Sequence, residues 1–166
     1  DILDNNVGIS VTGTVVDVAE ENWDKVMEVN VKTMMLASKY AIPRMVEAGG
    51  GSIINISTGL ARFSLPGYSA YASMKGAIET LSKYQAKELG SRKIRVNVIA
   101  PGAIETDFGG GVVRDNKEVN DYISSIVALG RAGVPDDIGG VVAFLCTEDA
   151  RWINAQRIEI SGGQHL

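Results

Sequence analysis

Tyr71 and Lys75 form the pair of residues whose types and spacing most directly suggest chemistry. Four positions apart on a helix, their side chains share one face and lie about 6 Å apart along the axis. A phenol ordinarily ionises with a pKa of about 10, and a nearby ammonium lowers that pKa because it favours the phenolate. A phenol tuned in this way can exchange a proton with a substrate oxygen, although such pairs are also common on exposed helix faces without any function.

Three further polar residues accompany the pair. Ser57 and Thr58 end a short apolar strand, 14 and 13 residues before Tyr71, and their hydroxyls are predicted at the sheet edge that the helix approaches. Asn30 lies on the apolar face of the preceding helix, where a buried amide needs a hydrogen-bond partner. Each residue also has a purely structural interpretation, as a hydroxyl that caps a helix or as an asparagine paired with the backbone.

Hydrophobic periodicity predicts the elements that position these residues. Four short apolar or β-branched runs are interpreted as strands, over residues 1–3, 53–56, 94–99 and 157–160. One helix is predicted to begin at an Asp17 N-cap and to kink or end at Pro43, a second to cover residues 67–89, and a third to begin at Pro135. Strands that alternate with helices predict an α/β fold with a doubly wound parallel sheet, whose ligands bind beyond the carboxyl ends of the strands.

Composition excludes several classes of partner. The chain has 166 residues and a formal net charge of -4, so it offers no clustered basic face and we expect no nucleic-acid partner. No apolar run approaches the roughly 20 residues of a membrane helix, so we expect no membrane partner. The single cysteine, Cys146, and the single histidine, His165, leave no disulfide and no metal site to predict. Since no targeting pattern is visible, we expect a cytoplasmic protein.

Residues 107–130 contain the most irregular segment, with three consecutive glycines at Gly109, Gly110 and Gly111. Two interpretations stay open for this segment, a plain surface loop or a mobile lid over the site. Its apolar residues, among them Val112 and Tyr122, indicate a small-molecule substrate that is partly apolar.

Together these motifs resemble the short-chain dehydrogenase/reductase family over nearly the whole chain. Residues 5–8, Asn-Asn-Val-Gly, resemble the family's Asn-Asn-Ala-Gly turn, and Tyr71 to Lys75 match its Tyr-x-x-x-Lys helix. The strand that ends at Pro101-Gly102, followed by Thr106, resembles the segment that holds the nicotinamide end of the cofactor. Residues 130–138 and 160–163 match the family's C-terminal signatures.

The resemblance implies an oxidoreductase that transfers a hydride between NAD or NADP and a small-molecule alcohol or carbonyl. By the same resemblance, Tyr71 would be the proton donor or acceptor, and Lys75 would bind the nicotinamide ribose and lower the pKa of Tyr71. Asn30 would hold a water beside Lys75. The family's substrate-orienting serine falls at Thr58 in this sequence, with Ser57 one position earlier.

The resemblance also assigns cofactor contacts, to Asn6, Gly8, Tyr71, Lys75, Pro101, Gly102, Ile104 and Thr106. Three departures from the family pattern concern the fit of the cofactor: Asp4 at the end of a buried strand, Val7 in place of alanine, and Ser161 in place of aspartate. Family members commonly associate, so we expect a homo-oligomer, a dimer or tetramer, formed through the Tyr71 helix and residues 155–163.

The fold implied is a partial Rossmann-like doubly wound sheet. Residues 1–166 are expected to form a single partial domain, the C-terminal two-thirds of a family member, with the first βαβαβ half and its glycine-rich phosphate turn missing. The residues that choose between NAD and NADP belong to that half, so both cofactors stay open. The alternative to an enzyme is a non-catalytic scaffold with the same fold, or an inactive truncated fragment.

Overall fold

One four-stranded parallel sheet forms the centre of the chain in a computed structural model that describes residues 1–166. Its strands lie in the order β1 (Ile2–Asn5), β2 (Gly51–Ile56), β3 (Ile94–Pro101) and β4 (Arg157–Ile160). All neighbouring pairs are parallel, so every strand ends at the same edge. The four predicted strands are confirmed, although β2 begins two residues earlier and β1 and β3 end two residues later than predicted.

Helices cover both faces of this sheet, as a doubly wound fold requires. They are α1 (Glu20–Met27), a π-helical segment (Glu28–Lys32), α2 (Thr33–Glu47), α3 (Ser69–Leu89), α4 (Val112–Asp115), α5 (Lys117–Ile126) and α6 (Pro135–Leu145). Successive residues of a strand point to opposite faces. Ile53 accordingly packs with α2 and α3, and Ile54 packs with α6. None of these helices combines the length and the apolar character that crossing a membrane would need.

The first helix differs from its predicted bounds at both ends. It begins at Glu20 without a side-chain cap, because the Asp17 carboxylate instead accepts a hydrogen bond from the Thr14 hydroxyl in the preceding turn. Pro43 does not end the helix, since α2 continues to Glu47. Pro43 lies on the exposed side of α2, where water can satisfy the carbonyl that proline leaves without a donor.

A chain of buried polar side chains joins β1 to its neighbours. Asn5 donates to Asn55 Oδ1 at 2.7 Å, and Asn55 in turn donates to Ser82 Oγ at 2.8 Å and to Gln85 Oε1 at 3.0 Å. Buried amides are costly unless they are paired, and this set satisfies its members mutually. Through these hydrogen bonds Asn5 holds β1 against β2 and α3, and it orients the turn that follows β1.

The three-glycine segment forms an irregular tight turn. It spans Phe108–Gly111 and leads directly into α4 and α5. Gly109, Gly110 and Gly111 take φ values of 64°, 76° and 76°, a left-handed conformation that glycine adopts without steric cost. The glycines therefore allow the chain to double back after β3 and bring Phe108 over the carboxyl edge of the sheet.

Candidate active site

Tyr71 and Lys75 lie in the first two turns of α3, beside the carboxyl end of β2. Both are buried, with 7% of Tyr71 and 2% of Lys75 exposed. A lysine is almost never fully buried without a partner or a function. The burial therefore excludes the interpretation of Tyr71 and Lys75 as a pair on an exposed helix face.

The Lys75 ammonium is held by the end of the neighbouring strand. Nζ donates to the Ile56 carbonyl at 2.7 Å and lies 5.8 Å from the centroid of the Tyr71 ring. Burial lowers the pKa of Lys75 to about 8, because the charged form loses its hydration. An ammonium carries three donors, so this contact leaves donors for a ligand.

The pKa of Tyr71 is shifted in the direction opposite to the one that its spacing from Lys75 predicts. Burial raises the pKa of Tyr71 to about 12, and a polar contact with the Thr58 side chain lowers it by less. Loss of water around the phenol is thus the largest cause of the shift, and the Lys75 ammonium donates to the Ile56 carbonyl and not to the phenol. At neutral pH Tyr71 is a protonated phenol, which suits a proton donor.

The structure brings Thr58, and not Ser57, to Tyr71. Thr58 is buried beside the phenol, and its hydroxyl also accepts from the Leu60 amide at 3.3 Å. The Ser57 hydroxyl points elsewhere and donates to Glu79 Oε1 at 2.7 Å. Both hydroxyls follow β2 directly, and that of Thr58 is the one with a polar contact to the Tyr71 side chain.

Asn30 lies in the π-helical segment and is fully buried. Its amide exchanges two hydrogen bonds with the backbone of Ile9, donating to the carbonyl and accepting from the amide, each at 2.8 Å. The interpretation of Asn30 as an asparagine paired with the backbone is therefore confirmed. Its predicted role in holding a water beside Lys75 stays a prediction.

Gly8 passes directly over the Lys75 ammonium. A Cβ at Gly8 would lie 3.3 Å from Lys75 Nζ and 3.0 Å from Asn30 Oδ1. The clamp between Asn30 and Ile9 fixes this close approach, so the backbone of residues 8–9 forms one wall of the space around the ammonium. A side chain at position 8 would crowd that space.

The other predicted cofactor residues lie along the same edge, beyond β1 and β3. Gly102 follows β3, and a Cβ there would lie 2.9 Å from Ser161 Cα, so the close approach of the two backbone segments requires glycine. Ile104 forms a parallel bridge with Gly133, and the Thr106 hydroxyl accepts from the Phe108 amide at 3.2 Å. The remaining two, Asn6 and Pro101, are exposed and half-buried, respectively.

The three departures from the family pattern lie near the carboxyl ends of β1 and β4. Asp4 and Val7 are exposed in this chain, although partial burial raises the pKa of Asp4 above its usual value. Ser161 donates to Glu159 Oε1 at 2.8 Å and lies on the far side of β4 from α6.

Phe108 contacts the site although the sequence did not single it out as a site residue. Its ring lies 5.8 Å from that of Tyr71, tilted by 46°, a favourable geometry for an aromatic pair. In the sequence, Phe108 stands out only as an aromatic residue that lies two positions after Thr106 and directly before three glycines.

No cluster of three or more histidine, cysteine or acidic side chains is positioned to hold a metal ion.

Comparisons with known proteins agree with this geometry. A family model described as enoyl-(acyl carrier protein) reductase matches residues 1–165. Human dehydrogenase/reductase SDR family member 4 is 40% identical over 164 residues, which are 98% of this chain and 59% of that protein. An uncharacterized oxidoreductase of Methylorubrum extorquens is also 40% identical, over 98% of this chain and 65% of its own length.

The fold also matches those of solved structures. A gluconate 5-dehydrogenase from Burkholderia cenocepacia, solved in complex with NADP and tartrate, superposes with a TM-score of 0.93 at 29% identity and covers 98% of this chain. The chain spans 64% of that structure, and thus less than two-thirds of the length of each of these three proteins. The predicted Rossmann-like sheet is confirmed. Since the family model matches all but the last residue and the human relative shares 40% of the sequence, this chain belongs to the short-chain dehydrogenase/reductase family.

Proposed function

We propose that the intact protein is an oxidoreductase that transfers a hydride between NAD(P) and an alcohol or carbonyl substrate, with Tyr71 as its acid and base. The observation that carries this proposal is the burial of Tyr71 and Lys75 together beside the Thr58 side chain. Keeping an ammonium buried costs free energy. A scaffold that only retained the fold would gain nothing from that cost, so the burial argues against the non-catalytic alternative.

Each side chain has a separate task in carbonyl reduction. The Tyr71 phenol, protonated at neutral pH because its pKa is about 12, donates its proton to the substrate oxygen. The Thr58 hydroxyl donates a hydrogen bond to the same oxygen and stabilises the negative charge that develops there. The Lys75 ammonium, one turn further along α3, stabilises the phenolate that remains. The nicotinamide cofactor, when bound, supplies or accepts the hydride.

The residues beside Lys75 fit the ribose of such a cofactor. The ammonium donates to Ile56 within the chain, and its remaining donors suit the hydroxyl oxygens of a sugar. Gly8 leaves room for the sugar because it has no side chain to fill the space over Nζ. Asn6, Pro101, Gly102, Ile104 and Thr106 would hold the rest of the nicotinamide half, while the chain offers no basis for choosing NAD or NADP.

The substrate is proposed to lie under residues 107–130, the segment that carries Phe108 over Tyr71. An apolar aromatic ring beside the reacting oxygen favours a carbonyl compound with an apolar part. The same segment would act as a lid that excludes water during transfer.

Self-association also forms part of the proposal, with a dimer or tetramer as the expected state. Large apolar side chains are exposed on the surfaces expected to pair or next to them, with Tyr84 on α3 65% exposed and Trp152, before β4, 96% exposed. Burial of such side chains against a second copy would favour association. The cytoplasmic location stays a prediction.

The test compares two tyrosines, Tyr71 of α3 and the exposed Tyr40 of α2, in the intact protein. Tyr71→Phe should lower kcat by at least about 100-fold, the usual contribution of a general acid, whereas Tyr40→Phe should leave it unchanged. Oxidation of NADH and NADPH would be followed with simple ketones, α-diketones and aromatic aldehydes. Near-normal turnover by Tyr71→Phe, or no reduction of any carbonyl by the unaltered protein, would overturn the proposal.

A further inference from the structure

Four charged side chains of alternating sign are linked by hydrogen bonds next to Thr58, and none of them is proposed to touch substrate or cofactor. Glu79 Oε1 accepts from both Ser57 Oγ and Arg157 Nε, each at 2.7 Å. Arg157 Nη1 then donates to Glu159 Oε2 at 3.0 Å, and Glu159 forms a bidentate pair with Arg62 at 2.7 and 2.8 Å. Bidentate and charge-assisted hydrogen bonds of this kind fix side-chain orientation as well as adding stability.

The alternation of β4 explains why these charges face the site. Ile158 and Ile160 pack on the α6 side of the sheet, so Arg157 and Glu159 point to the opposite face, where Glu79 of α3 meets them. The side chains of Arg157, Glu79 and Glu159 are only 23%, 19% and 17% exposed. Partly buried ion pairs that share hydrogen bonds hold their geometry better than exposed ones.

Arg157 also contacts the backbone of Thr58 directly. Its Nη2 donates to the Thr58 carbonyl at 3.1 Å, while the Ser57 amide donates to the Ile99 carbonyl of β3 at 2.7 Å. The Ser57-Thr58 dipeptide is thus held from α3, β3 and β4 at once. Threonine has a stiff χ1, so the backbone orientation of Thr58 determines where its hydroxyl points.

We propose that Arg157 is a positioning residue that, clamped by Glu79 and Glu159, orients the backbone of Thr58 so that its hydroxyl faces the substrate oxygen beside Tyr71. This inference rests on the proposed function. Arg157 does not touch substrate; it acts through the Thr58 carbonyl. The two carboxylates restrict the rotation of the guanidinium and so hold its contact with the Thr58 carbonyl.

The experiment uses Arg157→Met in the intact protein, with Arg131→Met as the matched control. Arg131 also forms a bidentate carboxylate pair, with Asp137 at 2.7 and 2.8 Å, but it does not contact the Thr58 loop. Arg157→Met should lower kcat for the best carbonyl of the panel by roughly 10- to 100-fold, as expected for a misplaced catalytic group. The affinity for the reduced cofactor that supports turnover, NADH or NADPH, measured by fluorescence titration, should stay unchanged, and Arg131→Met should change neither quantity.

A pH profile separates positioning from general stabilisation. The Thr58 contact lowers the pKa of Tyr71, so losing it in Arg157→Met should move the pH profile of alcohol oxidation to higher pH. Hydrogen exchange should also become faster in the peptide that contains residues 57–62. An unshifted profile with a kcat equal to that of Arg131→Met would overturn the inference.

Two further sets of variants keep the outcome decisive. If Arg157→Met does not fold, Arg157→Lys keeps the charge but cannot make all three contacts; a smaller fall in kcat supports the inference, and an unaltered kcat overturns it. If Tyr71→Phe and Thr58→Val both keep normal turnover, the proposed function itself fails. If those two lose turnover while Arg157→Met does not, only the positioning role fails.

Discussion

Replacing Lys75 by methionine should make the cofactor-free protein more stable at neutral pH while it removes activity. Burial lowers the pKa of Lys75 from 10.5 to about 8, and each pKa unit corresponds to about 1.4 kcal/mol. The charged side chain therefore costs the folded state about 3 kcal/mol. Methionine avoids that cost but leaves the Ile56 carbonyl without its donor, a loss of about 1–2 kcal/mol, so a net gain of about 1–2 kcal/mol is expected.

The pH dependence identifies the source of this gain. Below pH 8, Lys75 is charged in both the folded and the unfolded state, and the full cost applies. Between about 8 and 10.5 the unfolded state binds more protons than the folded state, so the free energy of unfolding of the unaltered protein rises with pH. The Lys75→Met variant lacks this rise, and its advantage should shrink as the pH approaches 10.

Urea denaturation of the intact protein at pH 7 and pH 10, without cofactor, measures both effects. Lys83→Met, on the exposed face of the same helix, is the control and should change stability little at either pH. The reasoning is refuted if Lys75→Met is less stable than the unaltered protein at pH 7 and the difference does not depend on pH. That result would mean that the contacts of the ammonium outweigh the loss of its hydration.

Three further predictions concern single residues. Thr58→Ser should keep kcat within about tenfold, whereas Thr58→Val, similar in shape but without the hydroxyl, should lower kcat by about 100-fold; equal rates for the two would rule out a role for the hydroxyl. Gly8→Ala places a methyl 3.3 Å from Lys75 Nζ and should weaken NADPH binding by about tenfold, or ~1.4 kcal/mol, in a fluorescence titration; unchanged affinity would place the ribose elsewhere. The pairing of Glu159 with Arg62 lowers the pKa of Glu159 from 4.5 to about 2, so its contribution to stability is present above pH 4.5 and is lost as the pH falls toward 2. Thermal melting of Glu159→Gln should show a weaker loss of stability across that range, and an acid response equal to that of the unaltered protein would contradict the assignment.

Local sequence patterns were sufficient to predict the sheet and the residues that lie at its carboxyl edge. The bounds of β4 match the prediction because charged and apolar residues alternate there with a period of two. Tyr71 and Lys75 fall on one helix face wherever the helix begins, so their proximity needs only the helical period. The Asp17 N-cap was wrong because two acceptable local partners, the helix amides and Thr14, compete for one carboxylate.

Features that depend on distant parts of the chain could not be predicted. The choice between Ser57 and Thr58 depends on Glu79, which takes the Ser57 hydroxyl from a position 22 residues away. The contact of Arg157 with Thr58 spans 99 residues. The raised pKa of Tyr71 has the same origin, since the sequence spacing gives the position of the ammonium but not the amount of water that folding removes.

The central claim is that Tyr71 and Thr58 meet at one substrate oxygen. A crystal structure of the intact protein with NADP⁺ and a bound alcohol tests it most directly. The account predicts the alcohol oxygen at about 3 Å from both Tyr71 Oη and Thr58 Oγ1. An alcohol oxygen bound to Ser57, or beyond hydrogen-bond distance of the Tyr71 phenol, would contradict it.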